Sequence, residues 1–258
     1  MSPLPFGVLA ALVAAPAAAG EIACRFERGV VVAPAMVAGI AGDYIIDTGA
    51  PQSTLSETQA QAEAIVGGEV TGDVVLAAMT VRRLPLRVAD LDLRTWNLPT
   101  PAAGVIGADA LRGFVVDVGY APCRLRLSLP GRAPPFAGRA LDLAWDLGRP
   151  TAQAQVSDDA HQISGRFVIA SGADAPLRLA DDLAQAPGAA EPKELYPEGV
   201  WFARLPRVDF AGATGRDVAA GLMKPEGDVV GVIGGPVLAH FRLRFDFPAS
   251  RLVVAPVR

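Results

Sequence analysis

The stretch of sequence that decides the fold occurs twice in the chain. Residues 42–50 read Gly-Asp-Tyr-Ile-Ile-Asp-Thr-Gly-Ala, and residues 165–173 read Gly-Arg-Phe-Val-Ile-Ala-Ser-Gly-Ala. Both copies begin with glycine, continue through a short apolar run and end in a turn of small residues around a second glycine. Short apolar runs that end in a glycine turn are typical of buried β-strands. The repeat therefore predicts two strand-and-turn units of the same kind, offset by 123 residues.

A second motif repeats downstream in the same order. Residues 104–107 read Gly-Val-Ile-Gly, and residues 231–234 read the same, at an offset of 127 residues. Two motifs that recur in the same order at nearly equal offsets indicate an internal duplication. We therefore predict two homologous lobes, 21–130 and 138–258, joined by a linker at 131–137.

The composition is that of a folded protein with many turns. Hydrophobic residues make up 51% of the 258 residues, and 23 basic against 27 acidic side chains give a net charge of −4. This balance excludes intrinsic disorder and provides no strongly basic surface for nucleic acid. Frequent Gly and Pro and several runs of alternating apolar and polar residues predict mainly β lobes. Short helices are expected at 57–66, where Ser56 and Gln59 resemble a capping box, and at 108–112 and 236–240.

The turn Asp47-Thr48-Gly49-Ala50 resembles the active-site turn of the aspartic peptidases, in particular the retropepsin-like group. With the Val-Ile-Gly element at 105–107 and the duplication, the chain is similar to the two-lobed, pepsin-like and bacterial-type members. The resemblance implies two lobes of the acid-protease barrel type. It also implies an aspartic endopeptidase in which Asp47 is the catalytic carboxylate and Thr48 and Gly49 position it, with no metal and no cofactor.

The second copy of the turn departs from the family pattern. In that family two carboxylates, one from each lobe or subunit, share a proton and hold a water molecule between them. One is the general base, and the other, protonated, polarises the scissile carbonyl. Here Ala170 stands where the second aspartate belongs, while Ser171 and Gly172 still fit the turn. The second lobe is therefore predicted to form the loop without supplying a carboxylate.

Three readings of this departure are open. In the first, two chains form a homodimer in which two Asp47 turns meet and hydrolyse a peptide or unfolded protein. In the second, the chain is a pseudo-peptidase whose two-lobed cleft binds extended peptides without cleavage. In the third, another acid such as Asp174 or Asp43 replaces the missing one.

The family also places a hairpin over the cleft. The matching stretch of the first lobe is 69–78, and that of the second lobe contains Trp201 and Phe202. We expect both hairpins to cover the Asp47 turn.

The N-terminus is predicted to be a separate segment. Residues 1–19 contain no charged side chain and end in three alanines, as signal peptides do, and their apolar run is too short for a transmembrane helix. We therefore expect an exported protein, periplasmic or secreted, with no integral membrane segment in the mature chain. In an oxidising compartment Cys24 and Cys123 can form a disulfide; the alternative is two unpaired thiols.

Overall fold

The computed structural model describes residues 19–157, 162–180, 194–196, 200–224 and 226–257. It is mainly β and contains two similar closed barrels, as the repeat predicts. The first lobe is built from β2 (Arg25–Glu27), β3 (Val30–Val37), β4 (Ile40–Ile46), β5 (Thr54–Ser56), α1 (Glu57–Ala62), β6 (Glu69–Leu76), β7 (Met79–Ala89), α2 (Asp92–Thr95), β8 (Gly104–Ile106) and α3 (Ala108–Leu111). Its sheet has the order β2-β3-β4-β8-β5-β7-β6, and pairing of β3 with β6 closes it.

The second lobe repeats this arrangement. Its elements are β12 (Ala144–Asp146), β13 (Arg149–Ser157), β14 (Gln162–Ala170), β15 (Leu177–Ala180), β16 (Glu194–Tyr196), β17 (Val200–Phe210), β18 (Ala213–Met223), β19 (Gly231–Gly234) and α4 (Gly235–Leu238). Its sheet has the order β12-β13-β14-β19-β15-β18-β17-β16, and pairing of β13 with β17 closes it. The closing pairs of the two lobes correspond, which supports the duplication.

The repeated motifs form the same parallel strand pair in each lobe. Strand β4 pairs with β8 through Tyr44 and Gly104, and β14 pairs with β19 through Phe167 and Gly231. Consecutive residues at the ends of β4 and β14 and along β8 are buried, so both faces of the sheet are covered there. The equivalent aromatic residues Tyr44 and Phe167 are fully buried. The turns that follow β4 and β14 therefore lie close together, between the two lobes.

A third sheet joins the lobes. Its strands are β1 (Ala19–Ala23), β9 (Val115–Tyr120), β10 (Cys123–Ser128), β11 (Arg139–Asp142), β20 (Phe241–Asp246) and β21 (Arg251–Pro256), in the order β1-β10-β9-β20-β21-β11. The two halves meet where β9 pairs antiparallel with β20. Since this sheet takes strands from both halves, the lobe boundaries at 21–130 and 138–258 stay a prediction.

The pseudo-two-fold axis passes through one pair of residues in this sheet. Asp117 lies directly opposite Arg244 in the β9–β20 register, and the two are 127 residues apart, which is the offset of the repeat. Arg244 binds the Asp117 carboxylate through two nitrogens, at 2.6 and 2.8 Å. Its third nitrogen donates to the Pro134 carbonyl at 2.6 Å, and the guanidinium lies over the Phe136 ring. The predicted linker is thus fixed to the axis.

The first predicted hairpin packs elsewhere, so its assignment over the cleft is wrong. Strand β6 pairs with β7, but the end of this hairpin is buried, including Leu76, Ala77 and Met79. The Ala77 carbonyl lies so close to Gly20 of β1 that no side chain fits there. Val75 also pairs with Met36 of β3. This hairpin therefore closes the first barrel, because its buried end packs against β1 and β3. The side chains of Trp201 and Phe202 lie outside the described residues.

The helices are shorter than predicted. The first helix ends at Ala62 rather than at 66, because Ala64 adopts a left-handed φ of 55°. The Ser56 hydroxyl accepts no capping bond, since Ser56 is the buried last residue of β5 and its N–H donates to the Ala103 carbonyl. The capping-box prediction is therefore wrong, whereas α3 and α4 lie where single helical turns were expected.

The two cysteines form a disulfide, Cys24–Cys123, which confirms the pairing and joins the segment after β1 to β10. The bond is compatible with export, which stays a prediction together with the periplasmic or secreted location. Residues 1–18, which carry most of the expected signal peptide, lie outside the described residues. Among the described residues, no helix is long and apolar enough to cross a membrane.

Candidate active site

The Asp47 turn begins where β4 ends and is held by the Val-Ile-Gly strand. Ile45 and Ile46 are fully buried, and the backbone N–H of Asp47 donates to the carbonyl of Ile106 in β8 at 2.9 Å. Asp47 itself is only 5% exposed. The apolar strand therefore holds the Asp47 carboxylate away from solvent.

The two turns meet, and Thr48 and Ser171 form four reciprocal hydrogen bonds between them. The Thr48 N–H donates to the Ser171 hydroxyl, and the Ser171 N–H donates to the Thr48 hydroxyl, both at 3.1 Å. The Thr48 hydroxyl donates to the Ile169 carbonyl at 2.6 Å, and the Ser171 hydroxyl donates to the Ile46 carbonyl at 2.7 Å. Each bond has its two-fold mate at the repeat offset of 123 residues. Both hydroxyls are fully satisfied while fully buried.

The glycine of each turn is required because the other turn is so close. A Cβ atom at Gly49 would lie 2.4 Å from the Cβ of Ala170, and one at Gly172 would lie 2.4 Å from the Cβ of Asp47. Real Cβ atoms do not approach one another so closely. Asp47 and Ala170 therefore face each other across the pseudo-two-fold axis, which is the arrangement that the duplication predicts.

The site contains one carboxylate and, opposite it, a methyl group. Oδ1 of Asp47 accepts the N–H of Gly49 at 2.8 Å and the N–H of Gly172 at 3.2 Å, so both lobes hold the same oxygen. Ala170 is buried and offers no polar side-chain atom. The arrangement thus preserves the backbone donors of a symmetric pair of turns around a single acid.

Oδ2 of Asp47 forms an ion pair with Arg94, which the sequence analysis missed. Nη2 of Arg94 contacts this oxygen and lies 3.5 Å from the Gly172 carbonyl. Arg94 belongs to α2, in the segment between β7 and β8, and β8 runs beside the Asp47 strand. No motif signals this contact, because Arg94 stands in an ordinary charged stretch 47 residues from its partner.

Neither of the two other candidate acids takes the place of the missing carboxylate. Asp174 forms an ion pair with Arg178 at 3.2 Å, and Asp43 forms one with Arg25 at 2.7 Å. Both carboxylates are therefore engaged with arginines of their own lobes rather than with Asp47. The third reading of the sequence is wrong on this point.

The carboxylate of Asp109, which lies beside the first turn, stabilises the chain that follows Asp47. Asp109 of α3 accepts bonds from the Ser53 N–H at 2.9 and 3.0 Å and from the Ser53 hydroxyl at 2.7 Å. The same hydroxyl accepts the Gly107 N–H at 3.0 Å. The chain after Asp47 is thereby tied to the Val-Ile-Gly strand. In the second lobe the Gly234 N–H binds the Pro176 carbonyl at 3.0 Å instead.

Comparison with solved structures identifies the architecture. The crystal structure of an aspartic proteinase from Irpex lacteus is similar over 93% of this chain and 98% of its own, with a TM-score of 0.59 and 13% sequence identity. The fold is that of aspartic proteinases. No protein-family model matches the sequence, and no curated protein matches it. Within this fold, the candidate active site is the Asp47 turn with Ala170 opposite and Arg94 in contact.

Proposed function

We propose that the protein is a pseudo-peptidase that binds extended peptides in the cleft between its lobes without cleaving them. One observation carries the proposal: the single acid of the site, Asp47, faces the methyl group of Ala170 and is paired with Arg94. The fold supports a peptidase-like protein, whereas Ala170 and Arg94 in the site argue against hydrolysis.

Hydrolysis by this fold needs two groups that exchange protons. One carboxylate takes a proton from water while the other donates one to the substrate carbonyl. The methyl group of Ala170 does neither. An arginine side chain has donors but no acceptor, so Arg94 cannot activate water. It also contacts the oxygen of Asp47 that the backbone N–H groups leave available.

An extended peptide fits the groups that line this cleft. A peptide backbone offers carbonyl acceptors, and the guanidinium of Arg94, which is 37% exposed, offers donors at the Asp47 turn. On either side of Arg94, Leu93 is 93% exposed and Trp96 is 79% exposed. Large apolar residues that are exposed next to a cleft favour contact with a ligand's side chains.

Peptide hydrolysis is the competing function, and the intact Asp47-Thr48-Gly49 turn favours it. With one acid per chain it would need a homodimer in which two Asp47 turns meet. Such a dimer would have to break the four bonds between Thr48 and Ser171 and their strands. It would also place Asp117 opposite its own copy on the axis, where Arg244 now neutralises it.

The two functions are distinguished by incubating the purified protein with unfolded protein from acidic to neutral pH, with Asp47→Asn as control. We expect no cleavage that depends on Asp47, together with saturable binding of short unstructured peptides. Cleavage that disappears in Asp47→Asn would overturn the proposal. A mass measurement under the same conditions then decides whether the cleaving species is the homodimer.

A further inference from the structure

We propose that the cleft selects peptides that carry a lysine or arginine side chain, and that this cation replaces Arg94 on Asp47. The inference rests on the proposed function, because it names the ligand class of the same site. In the absence of a ligand, Arg94 occupies the position beside Asp47 that the basic group of the ligand would take.

The requirement for a cation comes from the burial of Asp47. A carboxylate that is 5% exposed is costly unless it is paired and hydrogen-bonded. Two backbone N–H groups satisfy Oδ1, and Arg94 alone among the described residues is paired with Oδ2. A ligand that displaces Arg94 with a neutral group would leave this charge without a counter-ion. A ligand that brings its own cation would not.

The two partners of the ion pair differ in how firmly they are held. Asp47 is fixed by a fully buried strand and by donors from both lobes. Helix α2, which carries Arg94, is a single turn with no buried residue. Its bonds are local, such as those from the N–H groups of Arg94 and Thr95 to the Leu91 carbonyl. Asp47 therefore stays in place and determines which ligands bind, whereas Arg94 moves away when a ligand enters.

The segment around α2 is anchored on both sides. Leu91 and Leu98 pack against a small cluster of buried residues that includes Ile45 and Val105. Between these anchors, the side chain of Arg94 is 37% exposed. Movement of 92–97 therefore separates the ion pair without opening the core. The cost is mainly that of the ion pair itself, which an incoming cation restores.

The test uses three peptides that are identical except at one position, which carries lysine, norleucine or glutamate. Binding is measured for the wild type, Arg94→Gln, Asp47→Asn and, as a matched control, Arg82→Gln, whose side chain is 81% exposed on β7.

We expect the wild type to bind the lysine peptide more tightly than the norleucine peptide. Arg94→Gln should bind the lysine peptide about tenfold more tightly, as expected when an internal competitor worth about one hydrogen-bonded charge is removed. Asp47→Asn should lose the preference, and Arg82→Gln should behave as the wild type.

Several outcomes would overturn the inference. If norleucine and lysine peptides bind equally to the wild type and to Arg94→Gln, the cleft binds peptides but does not select cations. If Arg94→Gln weakens binding of the glutamate peptide, Arg94 itself is the recognition group and acidic peptides are the ligand class. If no peptide binds any variant, the proposed function fails instead. Thermal unfolding of each variant shows that it is folded. The change in tryptophan fluorescence on binding gives a second readout if it is lost in Trp96→Phe, since displacement of α2 changes the surroundings of Trp96.

Discussion

Ala170 occupies a position at which the backbone is still arranged for a carboxylate. By the two-fold relation of the turns, the N–H groups of Gly49 and Gly172 that bind Oδ1 of Asp47 would also face an acid at 170. What has changed is one side chain, together with the arginine that now pairs with the remaining acid. One substitution at 170 would therefore restore a pair of acids, and a second at Arg94 would free Asp47 from its ion pair.

Rebuilding the pair gives the first prediction. The double variant Ala170→Asp, Arg94→Gln should hydrolyse unfolded protein at acidic pH, because two carboxylates close together share a proton and take the two roles. Each single variant should stay inactive, since one lacks the second acid and the other keeps the arginine on Asp47. The measurement is peptide release, with Asp47→Asn added to the double variant as control. Hydrolysis by Arg94→Gln alone would contradict the argument, because one acid would then suffice.

The burial of the Tyr44 and Tyr120 phenols predicts that the protein becomes less stable at alkaline pH. Burial raises the pKa of Tyr44 to about 12 and raises that of Tyr120 well above its ordinary value of 10.0. Between pH 10 and the folded pKa, the unfolded chain loses these protons and the folded chain keeps them. The free energy of unfolding should therefore fall as pH rises, by about 1.4 kcal/mol per pH unit for each phenol.

The measurement is urea unfolding at a series of pH values, together with tyrosinate absorbance of the folded protein. The variant Tyr44→Phe should show a shallower fall, because one of the two phenols is absent. Tyrosinate from both residues in the folded protein near pH 10 would show that the phenols are not protected.

At the scale of elements, the junction of the turns contributes to stability as well as to the site. Replacing Ser171 by Ala removes the acceptor for the Thr48 N–H and the donor to the Ile46 carbonyl. Both partners are buried, so leaving them unpaired should lower the free energy of unfolding by roughly 1–3 kcal/mol for each. Urea unfolding measures this loss. Ser164→Ala is the matched control, because its hydroxyl bonds to Gln155 on the exposed face of β14 and its removal should have little effect. Equal effects of the two variants would contradict the prediction.

The elements also show which features a sequence can predict. The strand-and-turn units at 42–50 and 165–173 were predictable because apolar runs, glycines and duplication all indicate the same structure. The hairpin of β6 and β7 was misplaced, because its sequence does not reveal that its end packs against Gly20. Arg94 was missed for a related reason: a contact between distant segments depends on where the loop before β8 lies. Local pattern predicts elements, whereas their docking depends on tertiary packing.

At the scale of the whole molecule, the ion pair of Asp117 with Arg244 is expected to stabilise the contact between the two halves. Both lie in the central sheet with little exposure, and two hydrogen bonds join them. Asp117→Asn should therefore lower the free energy of unfolding by about 3 kcal/mol, because it leaves a buried guanidinium without its counter-ion. Glu21→Gln, which breaks the more exposed pair with Arg126 in the same sheet, should lower it by less than about 1 kcal/mol. Chemical denaturation measures the free energy of unfolding of both variants. An equal decrease in the two would show that the Asp117–Arg244 pair contributes no more than an exposed ion pair.

The pairing of Asp117 with Arg244 also limits which assemblies of this chain are favourable. In a symmetric dimer of identical lobes, the two residues on the axis are the same, so a negative charge there meets a second negative charge. Opposite charges at this point require two unlike lobes. Two copies of the first lobe would instead place Asp117 opposite Asp117, which makes such an assembly unfavourable. Because the two lobes differ in sequence, the two turns can also differ, as Asp47 and Ala170 do.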